Sequence, residues 1–214
     1  MNIGRLKGST VGNKMTKEEK FEAMKKIRDD VVSFKKSPLC ELRIKEGYLP
    51  VIGEGSHDAE IMFIGEAPGK NEALTGRPFC GASGRILDEL LGHIKLDRKD
   101  VYVANILKDR PPANRDPKPE EIEMYTPFLD RQIEIIEPKV IATLGRFSMN
   151  YIMKKFDLDF EIEPISKIHG KKFQADTSYG TISVVPLFHP AVAVYDASRK
   201  DELKKDFEVL KELV

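Results

Sequence analysis

Residues 59–65, AEIMFIG, form an apolar run that breaks at once into Glu66-Ala67-Pro68-Gly69. Near-continuous apolar character over so few residues fits a strand buried on both faces. Three more runs of this kind follow, at 101–107 (VYVANIL), 139–145 (KVIATLG) and 181–188 (TISVVPLF). Helical periodicity occupies 83–94, 119–136 and 147–156 between them, and 197–213 after the last. Buried strands alternating with amphipathic helices predict an α/β fold, a parallel sheet covered on both faces. Ligands of such sheets bind in the loops beyond the carboxyl ends of the strands. Those loops are where the chemistry is to be sought.

Upstream, residues 1–14 are polar and aperiodic, which predicts a flexible tail followed by one domain over 15–214. Thr16 starts a helix in which Phe21, Met24, Ile27, Val31 and Phe34 fall at helical spacing, and Pro38 is expected to end it. Residues 157–180 read as a polar excursion, a hairpin interrupting the last crossover. A chain of 214 residues with 41% hydrophobic and 33% charged residues suits one soluble globular domain. No apolar run approaches the ~20 residues of a membrane span, and the first twenty residues lack a signal peptide's apolar core. A cytoplasmic monomer is the expectation. The net charge of +0 makes no whole-chain case for nucleic acid, so any DNA contact must be local. Two cysteines, Cys40 and Cys80, cannot build a four-cysteine metal site, and a reducing cytosol disfavours a disulfide between them.

The loop after the first run, GEAPGKNEALTGRPFCGASG (65–84), places glycine at 65, 69, 76, 81 and 84. Such a loop lets backbone amides approach a flat ring or a phosphate, although a generic turn would look similar. The spacing is neither GxGxxG nor GxxxxGK[ST], which argues against dinucleotide and P-loop sites. Ser83 reads as the cap of the next helix, whose N-terminus favours an anion. Asn105 ends the second run. Its carboxamide both donates and accepts, as a pyrimidine edge requires, or else simply braces the loop. Arg110 and Arg115 follow, as phosphate contacts or as a solvated surface. His189 ends the fourth run, either as a buried structural side chain or as a donor to an anionic leaving group.

In combination these segments resemble the uracil-DNA glycosylase superfamily, most closely its family 4. The resemblance spans roughly residues 37–213 and rests on four stretches. They are 65–84, VYVANILKDRPPANRDPKPEE (101–121), PFLDRQIEIIEPKVIATLG (127–145) and PLFHPAVAV (186–194). It implies a three-layer α/β/α sandwich around a four-stranded parallel sheet, and removal of uracil from DNA to leave an abasic site. Gly65, Glu66 and Ala67 would line the base pocket and Phe79 would stack on the base. Asn105 would pair with its N3 and O4 edge, His189 would bond O2, and Glu72 would stand against C5 to exclude thymine. Ser83, Gly84, Arg110 and Arg115 would face DNA, with Pro190, Ala191, Val192 and Val194 entering the minor groove. The position where well-studied relatives carry a water-orienting acid is Ala67, which leaves Glu66 as the nearest carboxylate.

The chain departs from this pattern in two places. Family 4 enzymes hold a 4Fe–4S cluster with four cysteines, and the corresponding positions here are Ser37, Cys40, Asp109 and Tyr125. One thiolate cannot hold such a cluster, so no cluster and no other metal is expected. A Tyr125 hydroxyl or an Asp109 ion pair is the expected replacement brace. Secondly, Val194-Tyr195-Asp196 stands where relatives often carry a basic residue, which leaves hypoxanthine or xanthine open as the base removed. The missing cluster ligands and the neutral charge keep a non-catalytic lesion reader as an alternative, and the glycine-rich loop keeps a nucleotide- or phosphate-binding protein as another.

Overall fold

The computed structural model describes residues 14–213, so the expected tail over 1–14 lies almost wholly outside the described residues. The chain opens with α1 (Lys17–Ser33) and α2 (Pro38–Glu46). Thr16 caps α1 through a reciprocal box with Glu19, each side chain bonding the other's backbone N–H. Pro38 does not end α1, which stops at Ser33 with Phe34 as its C-cap; it begins α2. Its missing N–H costs nothing at a first helical position, and the Ser37 side chain accepts from Leu39 N at 3.2 Å.

The chain continues through β1 (Glu54–Gly55), β2 (Ile61–Gly65), α3 (Lys70–Thr75), α4 (Ala82–His93) and β3 (Tyr102–Asn105). Then come α5 (Pro119–Ile136), β4 (Val140–Leu144), α6 (Arg146–Lys155), α7 (Ile165–Ile168) and the hairpin β5 (Phe173–Thr177) to β6 (Gly180–Leu187). Short α8 (Ala191–Tyr195) and α9 (Lys200–Lys211) close it.

Among the described residues the sheet has six strands, in the order β1-β3-β2-β4-β6-β5. The four predicted strands are its parallel centre, and the antiparallel pairings of β1 with β3 and of β5 with β6 extend it beyond the four strands expected. Within the apolar runs, alternate residues face opposite layers. Met62, Ile64 and Ile141 meet α1, α5 and α6, while Ile61, Phe63, Ala142 and Leu187 meet α4 and α9. Phe63 and Phe207 stack at 5.7 Å in the second layer.

From β2 the chain moves outward to β3 and then returns across β2 to β4, so the topology reverses at β2. A crevice opens at such a reversal. The register pairs Gly65 with Asn105 and Leu144 with Leu187, bringing the ends of all four parallel strands to one rim. Among the described residues no helix is long and apolar enough to cross a membrane.

Candidate active site

The site is built outward from Gly65. A Cβ at this position would lie 2.3 Å from Asn105 Oδ1 and 2.7 Å from Phe79 Cζ, so only glycine lets the carboxamide and the ring converge. Asn105 is 2% exposed, and its Oδ1 has no hydrogen-bond partner among the described residues. A buried acceptor left unpaired costs about 1–3 kcal/mol, so a ligand donor is the partner that makes sense of it.

Phe79 holds a positive φ of 48° and is 6% exposed. Gly84 makes room for it: a Cβ there would sit 1.7 Å from the Phe79 carbonyl oxygen. Gly84 is buried, which gives it a packing task beneath the loop. Glu72 straps the same loop, Oε1 accepting from Cys80 N at 3.0 Å and Gly81 N at 2.9 Å. Gly81, not Ser83, is the N-cap of α4, and having no side chain it makes no capping bond of its own to the first turn. Ser83 instead lines the cleft.

The His189 ring stacks on Phe79 with centroids 5.6 Å apart. Burial pushes its pKa down to about 4, against a weaker opposing pull from Glu72. The imidazole is therefore neutral at pH 7. Ala191 N donates to Nδ1 at 3.1 Å, so Nδ1 carries the lone pair and the single ring N–H is on Nε2. Just before it, Phe188 packs against both His169 (4.2 Å between ring centroids) and the Arg199 guanidinium (4.4 Å), contacts that brace the end of the strand.

These groups line a cleft of about 290 Å³ together with Glu66, Ala67, Glu72, Arg115 and Ala191. Glu66 is half-buried, and its pKa is pushed up to about 7, first by desolvation and then by Asp116, with Arg146 opposing. Pro68, Gly69, Pro111 and Asn114 complete the wall, which the sequence reading did not anticipate. The signal for Asn114 lies in the RPPAN turn: Ala113 and Asn114 both take left-handed backbone, which Asn tolerates better than most residues.

The expected DNA-facing groups divide. Arg115 is committed to Glu121 in a bidentate pair at 2.9 and 2.5 Å. Arg110 bonds Asn114 Oδ1 at 2.6 Å and Tyr48 OH at 3.1 Å. Val192 packs inward on the α4–α9 layer, whereas Val194 is 43% and Tyr195 89% exposed at the tip of α8. Pro190 is the N-cap of that short helix.

With this geometry in view, comparison with known proteins is specific. The sequence model of the Uracil DNA glycosylase superfamily matches residues 52–211. A type-4 uracil-DNA glycosylase of Sulfurisphaera tokodaii is 44% identical over 194 residues, covering 90% of this chain and 86% of its own. One of Archaeoglobus fulgidus is 42% identical over 194 residues, covering 90% and 94%. One of Saccharolobus solfataricus is 44% identical over 189 residues, covering 87% and 84%.

The four positions that correspond to the cluster cysteines are gathered and buried, with Ser37, Cys40 and Asp109 each 1% exposed and Tyr125 0%. Their donor set does not fit a four-thiolate cluster. Arg43, one turn along α2 from Cys40, lies between them: Nη2 donates to Cys40 Sγ at 3.2 Å, and Nε pairs with Asp109 Oδ1 at 3.3 Å. Tyr125 OH donates to Asp109 Oδ2 at 2.5 Å. Both expected braces are present, and Arg43 joins them. Among the described residues, no group of three or more His, Cys, Asp or Glu side chains is placed to hold a metal ion.

Breaking this buried pair from one side strands a charge. Asp109→Ala is expected to cost about 3–5 kcal/mol, a Tm fall of about 10 °C in a thermal melt. Replacing both partners (Arg43→Met with Asp109→Leu) should recover most of that loss, and an iron chelator should leave the wild-type Tm unchanged. A double variant as unstable as Asp109→Ala would contradict the assignment.

Proposed function

Because the chain belongs to the Uracil DNA glycosylase superfamily, we propose that it hydrolyses the N-glycosidic bond of uracil in DNA, leaving an abasic site for base excision repair. The observation that carries this reading is the unpaired Asn105 Oδ1, buried beside the Phe79 ring in a cleft whose third wall is a neutral His189. A uracil stacked on Phe79 would present N3–H to that oxygen and O4 to the Asn105 amide. Cytosine, with an acceptor at N3, would leave the oxygen orphaned. Glu72 lines the same cleft and would meet the C5 edge, where a thymine methyl would have to fit.

Bond breaking is dissociative. The sugar develops oxocarbenium character and uracil departs as an anion whose charge is shared by O2 and O4. His189 Nε2–H donates to O2 without itself needing to change charge, an arrangement that stabilises developing charge with no reorganisation at the moment of reaction. Water completes the reaction at the sugar, with Glu66 orienting it. Among the described residues no lysine lines the cleft, so no amine stands ready to form a covalent sugar adduct, which supports a monofunctional enzyme.

Extrusion of the base from the duplex costs a few kcal/mol. The exposed tip of α8, with Val194 and Tyr195, would fill the space it vacates, and Pro190 and Ala191 would follow it into the minor groove. In this reading the enzyme carries no iron–sulfur cluster or other metal and works as a monomer in the cytoplasm.

Oligonucleotides carrying one uracil, hypoxanthine, xanthine or thymine, incubated with the protein and then cleaved with alkali, test the proposal. Scission is expected at uracil and not at thymine; scission confined to a purine would transfer the activity to another deaminated base. His189→Ala should slow excision by about 10² or more, as loss of a donor to a developing anion does elsewhere. Unchanged turnover would remove His189 from the chemistry.

The pH profile addresses Glu66. Its ionised form is the one that can accept from water, so kcat/KM should fall as the pH drops below about 7. Glu66→Gln should lower the rate and flatten that limb. A wild-type profile with no inflection near 7 would leave the water unassisted by Glu66.

A further inference from the structure

The turn after β3 buries a cation behind the base-reading end of the strand. Lys108 is 0% exposed. Its Nζ donates to Gln132 Oε1 at 2.6 Å, the Asn105 carbonyl at 2.8 Å and the Ile52 carbonyl at 3.2 Å. Burial, not any neighbouring charge, lowers its pKa, to about 7. The three acceptors decide the form: a neutral amine has two N–H bonds and one lone pair, so all three are satisfied only by the ammonium. Each acceptor is uncharged, and among the described residues no carboxylate lies within ion-pair distance of Lys108.

An unpaired charge so deeply buried is rare and costly, and nothing in packing demands it, since methionine has similar length and no desolvation penalty. The tethers come from three separate stretches of chain: β3, α5 and the segment before β1. Gln132 on α5 is itself fixed through Nε2 to Tyr102 OH and the Ile52 carbonyl, both at 3.0 Å. The ammonium is therefore immobile. One of its three bonds goes to the very residue whose carboxamide enters the cleft. Lys108 and Asn105 are both buried, so the cation's field is screened less there than at the protein surface.

We infer that Lys108 is a positioning residue for glycosidic cleavage, fixing the Asn105 strand end and holding positive potential behind the base as it leaves as an anion. The assignment rests on the proposed uracil excision. It is distinct from direct donation by His189, because Lys108 touches only Asn105 and the scaffold.

A leaving group that needs less help separates this role from a structural one. 5-Fluorouracil leaves as a more stable anion than uracil, so loss of an electrostatic stabiliser should hurt it less. Single-turnover excision from duplexes bearing either base is measured for wild type, Lys108→Met and Gln132→Glu. Gln132→Glu keeps the ammonium and its bond to position 132 but sets a carboxylate against it, cancelling the field at the loss of the Nε2 donation to the Ile52 carbonyl.

Both variants should slow uracil excision about 30-fold or more at saturating DNA, and 5-fluorouracil excision at least several-fold less. An equal loss on both bases, or wild-type rates in Gln132→Glu, would overturn the inference. If Lys108→Met melts below the assay temperature, Gln132→Glu alone decides. A wild type that leaves uracil in place refutes the functional reading and the Lys108 assignment with it, whereas base-independent losses refute Lys108 alone.

Discussion

One close approach organises the molecule: the meeting of the Asn105 carboxamide and the Phe79 ring above a residue that has no Cβ. The parallel register of β2 and β3 puts Gly65 opposite Asn105, and any larger side chain at 65 would collide with both partners. The rest of the site supports that contact. Glu72 straps the loop that carries Phe79, and Gly84 lets α4 start directly beneath the Phe79 carbonyl. Lys108 ties the end of β3 to α5 and to the Ile52 carbonyl. Each device removes freedom from a group that would otherwise have to be ordered when a ligand binds, and preorganisation of this kind is where binding sites gain most.

The electrostatics follow from the same burial. Desolvation keeps His189 neutral, leaving one N–H whose position is dictated by the Ala191 amide. Desolvation also raises Glu66 to about 7, near the pH at which a base is most useful. Lys108 supplies positive potential from behind. A leaving anion thus meets neutral donors at contact distance and a fixed cation one residue away. An imidazolium at the same spot would have bound the product uracilate tightly and lost its proton readily. The arrangement favours charge while it develops rather than after it has formed.

Much of this is legible in the sequence because the four central strands are continuous apolar runs and each ends in a distinctive loop. Elements whose signals are short or ambiguous are not. β1 spans only Glu54–Gly55, too few residues for any period, and β5 is an edge strand with only Ala175 buried. Pro38 reads as a stop, although Ser37-Pro38 is equally a helix start, and without α2 the i,i+3 pairing of Cys40 with Arg43 is invisible. The sequence shows that three thiols are missing, yet the guanidinium that fills their place comes from a residue outside the expected brace. Arg115 reads as a free cation until the fold brings its partner Glu121 against it. The buried state of Lys108 likewise depends on Gln132 and Ile52, which are distant in sequence.

Everything in this site turns on the base being met by preorganised, neutral donors in a desolvated pocket. Nitrogen NMR of His189 in the free protein tests that most directly. Such a pocket predicts a neutral ring with its proton on Nε2 at neutral pH, titrating only near pH 4. A ring that protonates near the ordinary histidine value of about 6.5, or one that carries its proton on Nδ1, would contradict it.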